Sequence, residues 1–150
     1  LGEAAGDRRG RLLREVEGIG KRRPVGPAPL LHHVCHLLAR IEGGERGDQV
    51  GCIRDFTLKD GNRVREQLLT LSDTDFKSTY CIVEATIPLQ RYVASVTLKR
   101  VTDGNRTFAE WSAEFDCAPD RERELTQLIG QGVFQGGFDA LKQRLLKAAA

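Results

Sequence analysis

Arg54 and Glu66 stand on either side of a turn signal, Lys59-Asp60-Gly61, in DQVGCIRDFTLKDGNRVREQLLTL, 48–71. A three-residue loop puts Gly61 where a left-handed residue is wanted. It sets Phe56 opposite Val64, Cys52 opposite Leu68 and Arg54 opposite Glu66, all on one face. A two-residue loop would oppose apolar to polar positions along the whole hairpin. The three-residue register leaves one Arg–Glu pair on an otherwise apolar surface. A charge in such a place costs roughly several kcal/mol unless it is paired. The pair is either a structural ion pair or a polar contact for a ligand or ordered water, and register alone leaves both open.

A second cluster, His32, His33, Cys35 and His36, has the residue types of a metal site. His32 and His36 would share a helix face. No glutamate follows in the H-E-x-x-H manner, and the sequence has no later histidine to complete a ligand set. The cluster reads as accidental, and neither a metal nor another cofactor is expected. No G-x-S-x-G, Walker loop or G-x-G-x-x-G occurs. Gly43, Gly44, Gly47 and Gly51 lack the strand-turn-helix setting of a phosphate loop. Cys35, Cys52, Cys81 and Cys117 contain no C-x-x-C pair, and three of them sit in apolar runs. They are read as reduced thiols of a cytoplasmic protein.

The elements that must position these groups belong to one domain. The chain has 150 residues, 40% hydrophobic and 29% charged, enough for a single core and too few for two ordinary ones. A net charge of +2 gives no electrostatic footprint for nucleic acid. No apolar run reaches the roughly 20 residues of a membrane-spanning helix. Charge is uneven: eight basic against four acidic residues in 1–40, and fifteen against seventeen in 41–150.

From Gly47 the pattern reads as five strands divided by turn signals: 48–58, 63–71, 78–87, 91–102 and 106–117. Short turns imply an antiparallel meander. In the 91–117 hairpin a two-residue Asp103-Gly104 turn pairs Thr102 with Asn105, Leu98 with Ala109, Val96 with Trp111, Ala94 with Ala113 and Tyr92 with Phe115. The last four pairs are apolar and share a face. Ser95, Thr97, Lys99, Glu110, Ser112 and Glu114 take the other. After Pro119 and the acidic run DRERE, helical spacing of apolar residues predicts one long helix over 119–147, lying across the concave face of the sheet. Gly130, Gly132, Gly136 and Gly137 interrupt it. Each costs up to about 1 kcal/mol relative to alanine. They imply either a bend with close packing or a pocket lidded by Phe134 and Phe138.

GCIRDFTLKDG, VREQLLTLSD, TFAEWSAEFD and VFQGGFDALKQRL, taken in order, resemble the START-like SRPBCC superfamily, and in particular its polyketide cyclase/dehydrase and lipid-transport branch. The resemblance covers about residues 40–147. It implies an α+β helix-grip fold: a curved antiparallel sheet wrapped around a long C-terminal helix, with a hydrophobic cavity between. By the resemblance, Arg54, Glu66 and Tyr92 fall on the cavity side, and Trp111 matches a recurrent tryptophan of the bacterial branch. The Lys59-Asp60-Gly61 and Pro88-Leu89-Gln90-Arg91 turns match entrance loops, the first of them shorter here than in the plant receptors of the superfamily. Upstream of Arg40-Ile41-Glu42-Gly43-Gly44 the text departs from the family. Residues 1–39 are expected to be a diverged or mis-read N-terminal segment of the single domain 1–150, and the sequence leaves open whether they form the family's first strand and helix pair.

The expectation is a carrier or sensor for a small hydrophobic molecule such as a lipid or polyketide. Apolar burial would supply affinity at roughly 25 cal/mol per Å2. Arg54 and Glu66 would orient a polar end of the ligand. Phe56, Leu68, Tyr80 and Tyr92 would line the sheet side with Val96 and Trp111, and Phe134 and Phe138 would close it. The alternatives are a cyclase- or dehydratase-type enzyme in which Glu66 or Tyr92 moves protons, and a ligand-free interaction module. A monomer or weak homodimer is expected.

Overall fold

The computed structural model describes residues 8–17, 40–42, 46–58 and 60–147, the first of these by backbone alone. The strands are β1 (Arg8–Glu17), β2 (Arg40–Glu42), β3 (Ile53–Thr57), β4 (Arg63–Ser72), β5 (Lys77–Ala85), β6 (Gln90–Val101) and β7 (Arg106–Cys117). They form one seven-stranded sheet in the order β1-β7-β6-β5-β4-β3-β2, every neighbouring pair antiparallel. From β2 to β7 each strand lies beside its successor, which is the expected meander. The fold is the α+β helix-grip.

β1 adds a strand that the sequence pattern of the first 39 residues did not reveal. Arg8–Glu17 pairs with β7 without interruption from Arg8–Cys117 to Glu17–Phe108. This stretch is therefore a strand of the same sheet. Its text, RRGRLLREVE, hides the strand because charges stand where a half-buried strand would alternate. Residues 18–39 lie outside the described residues.

The first expected strand is shorter than its pattern. Gly47–Gly51 are turned, with Gly51 at φ +92°, and the ladder begins at Ile53. The register is nevertheless the expected one. Phe56 faces Val64 and Arg54 faces Glu66, and Cys52 O accepts the Leu68 amide at 3.0 Å. Leu58 N donates to Asn62 O at 2.7 Å, which closes the three-residue loop, and Gly61 sits at φ +87°.

The β6–β7 hairpin keeps its expected register through a different turn. Val101–Arg106 is the last ladder pair, so the loop has four residues, 102–105, and Thr102 and Asn105 do not pair. Gly104 supplies the left-handed residue at φ +72°. Lengthening the loop by one residue on each side leaves the pairing sum unchanged, so Leu98–Ala109, Val96–Trp111 and Ala94–Ala113 form as read. At the far end a bulge between Gln90 and Val93, with Arg91 at φ +48°, breaks the Tyr92–Phe115 ladder pair. The two rings still stack at 6.3 Å.

The turn at Ala118–Arg121 delays the helix to Glu122. The helix α1, 122–147, has three parts: α-helical Glu122–Gln127, π-helical Leu128–Gln135 and α-helical Gly136–Lys147. Its buried side chains are Leu125, Ile129, Phe134, Phe138 and Leu141. The step from Ile129 to Phe134 is five residues, which an α-helix would rotate off the buried stripe. The wider π turn brings Phe134 back into line. These residues close the core over Val64, Leu68, Tyr80, Val96, Leu98, Trp111 and Phe115 of the sheet. On the opposite, convex side Arg65 bonds Glu42 of β2 at 2.7 Å and Glu84 of β5 at 2.8 Å, tying the short edge strand to the sheet. No helix among the described residues is long and apolar enough to cross a membrane.

Candidate functional site

Arg54 of β3 and Glu66 of β4 point to the concave side, and each is 4% exposed. Arg54 Nη2 donates to Glu66 Oε1. The guanidinium carbon lies 5.9 Å from the centroid of the Tyr80 ring, within reach of a cation–π attraction. Burial pushes the Glu66 carboxyl above the usual carboxylate range, while the Arg54 charge and hydrogen bond pull it back. The net direction is upward. Such a pair adds little stability over an apolar isostere, because both ions lose their water.

Aromatic rings continue the site away from this pair. Trp111 Nε1 donates to the Tyr80 hydroxyl at 3.0 Å. Tyr80 and Tyr92 lie 6.2 Å apart, tilted by 42°. Phe134 stacks on Trp111 at 4.5 Å and 13°, and Phe138 meets the same indole edge-on at 5.7 Å. Strand alternation explains why one surface carries them all. Glu66 and Leu68 share a face of β4, Tyr92 and Val96 a face of β6, and Trp111 and Phe115 a face of β7. Two residues of the helix, Phe134 and Phe138, come down onto the indole from above.

The structure thus brings together Arg54, Glu66, Tyr80, Tyr92, Trp111, Phe134 and Phe138 through direct contacts. Leu68 lies across the ladder from Tyr80 and Val96 across from Trp111, both buried. Phe56 sits at the margin, partly buried against the core. Of the two expected entrance turns, Lys59 lies outside the described residues. The second carries the Arg91 bulge, where Arg91 Nε donates to the buried Asp116 carboxylate. The His32–His36 cluster also lies outside the described residues. Among those that are described, no group of three or more His, Cys, Asp or Glu could hold a metal ion.

Ser78 escaped the sequence reading. It shares a face of β5 with Tyr80 and is fully buried between Leu71 and Val96 on the adjoining strands. Its hydroxyl has no hydrogen-bond partner among the described residues. An unpaired buried hydroxyl costs about 1–3 kcal/mol. The signal was present in the alternation of STYCIV, where Ser78 and Tyr80 stand two apart on the inward side.

A family model described as polyketide cyclase / dehydrase and lipid transport matches residues 29–146. No curated protein matches the chain. Among solved structures, the protein XoxI from Bacillus cereus superposes with a TM-score of 0.72 at 21% identity, covering 93% of this chain and 98% of that one. A solution structure from Thermobifida fusca gives 0.70 at 23%, covering 90% and 92%. Norcoclaurine synthase from Thalictrum flavum, in complex with dopamine and hydroxybenzaldehyde, gives 0.68 at 15%, covering 94% and 88%. At these identities the likeness is one of fold.

Proposed function

The chain belongs to the polyketide cyclase / dehydrase and lipid transport family, and on that premise we propose that it binds a small hydrophobic molecule between the concave sheet and α1. The observation that carries this reading is the buried Arg54–Glu66 pair set in an aromatic surface. Two ions in such a place are a poor choice for stability and a good one for orienting the polar end of a guest. Tyr80, Tyr92, Leu68 and Val96 supply apolar contact, and the Ser78 hydroxyl offers a further hydrogen bond. Cys52, Cys81 and Cys117 are free thiols, which fits a reducing compartment and supports a cytoplasmic assignment.

The test is displacement of a fluorescent apolar probe from the purified chain. Leu68→Trp puts a bulkier ring beside Tyr80, where the guest would lie, and is expected to abolish probe binding while the far-ultraviolet circular dichroism stays native. Probe affinity unchanged in that variant overturns the reading.

A second reading is an enzyme of the cyclase or dehydratase type. What favours it is the Glu66 carboxyl, held above the usual carboxylate range by burial and bonded to Arg54, whose guanidinium lies against the Tyr80 ring. Glu66→Gln separates the two: lost turnover with retained ligand affinity marks catalysis, and equal loss of both marks binding alone.

A further inference from the structure

Among the described residues Gly132 and Gly136 have no steric reason to be glycine. A methyl group at Gly136 would meet none of those residues within 4 Å, and one at Gly132 would meet Leu128 Cδ1 at an ordinary 3.6 Å. Neither residue has a positive φ, so neither is required by backbone conformation. Each weakens a helix relative to alanine. Both lie in or beside the π-helical part of α1, where the hydrogen-bond ladder is irregular at each end. The Leu128 amide is shared between the Glu124 and Leu125 carbonyls, and the Gly136 amide reaches back to the Val133 carbonyl. The segment between them carries Phe134, fully buried on the face of Trp111.

We infer that residues 128–136 are a hinge that unwinds to lift Phe134 and Phe138 off Trp111, and that the uncovered indole face is the ligand's way in and its innermost subsite. This rests on the ligand-binding reading above and adds where the guest enters and which group it displaces. In the closed state the aromatic stack fills the place that a flat apolar ring would take. Stacking at 4.5 Å and 13° is the contact such a ring would reproduce. Unwinding a segment that is already glycine-rich and irregularly bonded costs less than unwinding the flanking α-helical parts, so opening concentrates there.

The double variant Gly132→Ala/Gly136→Ala tests the hinge without touching the binding surface. Alanine at both positions is expected to raise Tm by roughly 4–8 °C. Hydrogen exchange across 128–136 should slow by roughly 15- to 30-fold, because the unwound state becomes rarer by the same free energy. Uptake of anilinonaphthalene sulfonate, followed in a stopped-flow instrument by energy transfer from the sole tryptophan, Trp111, should slow by a similar factor. A variant with raised Tm and slowed exchange that takes up the probe at the wild-type rate overturns the hinge and leaves the binding reading standing. A wild-type chain that takes up no probe overturns both. If exchange across 128–136 is already as slow in the wild type as in the β6–β7 ladder, the segment does not open and the hinge fails.

Discussion

The β3–β4 hairpin sets Arg54 against Glu66 on its concave face. The β6–β7 hairpin sets Ala94, Val96 and Leu98 against Ala113, Trp111 and Ala109 on the same face of the same sheet. Both are antiparallel pairs in the register that their alternation demands, and both close on a left-handed glycine. They differ in what they bury. Apolar pairs repay burial directly, whereas the ion pair surrenders its hydration to sit where it does. A sheet built for stability alone would have repeated the second hairpin. On the proposed function, the first one places charge where a guest's polar end would meet it.

Breaking the contrast begins with Glu66→Leu. Leaving Arg54 buried without its carboxylate partner is expected to cost about 3–5 kcal/mol, and adding Arg54→Met should restore most of the loss. Urea unfolding of the single and double variants measures both. A single variant as stable as the wild type would show that the ion pair is solvated. In the apolar hairpin Leu98→Ala should cost about 2–5 kcal/mol through the cavity it leaves, again read by urea.

Leu68→Trp lies where the two surfaces meet. Overpacking there is expected to cost roughly 1–3 kcal/mol while removing probe binding altogether, a separation of stability from function that Leu98→Ala does not show. Gly61→Ala and Gly104→Ala compare the turns. Each forces a left-handed alanine at roughly 1–2 kcal/mol. Gly104→Ala should be slightly worse, because its methyl would lie 3.3 Å from Arg106 Nε and displace that side chain. Thermal unfolding ranks them.

The smallest effect is on pH. Glu66 has a folded-state pKa above its ordinary value, so the folded chain holds a proton that the unfolded chain releases first. Its contribution to stability is present below the ordinary glutamate range and fades as pH rises through the raised value. Glu66→Gln should flatten the stability–pH curve in that window. An identical slope in the variant would remove the assignment.

Much of this architecture was legible in the residues. Alternation in RYVASVTLKR and RTFAEWSAEF fixes a face, and turn chemistry then fixes a register. Register in turn exposed the Arg54–Glu66 pair. Three features were not legible, each for its own reason. β1 is an edge strand whose text is mostly charged, so no period reveals it. The bulge at Arg91 needs a positive φ at a residue that gives no glycine signal. The four-residue loop at 102–105 preserves the same pairing as a two-residue turn, so pairing could not tell them apart. The π segment was half visible: four glycines announced an irregular helix, and the five-residue step from Ile129 to Phe134 names its form in retrospect. The unpaired hydroxyl of Ser78 gives no signal in the sequence because a serine on a strand ordinarily finds a partner, and this one has none among the described residues.

Native mass spectrometry of the freshly purified chain, wild type beside Leu68→Trp, tests the central claim most directly after incubation with a lipid extract. Binding between the sheet and α1 predicts a discrete added mass on the wild type that is released by organic solvent, and none on the variant. The same adduct on both proteins, or none on the wild type, would contradict it.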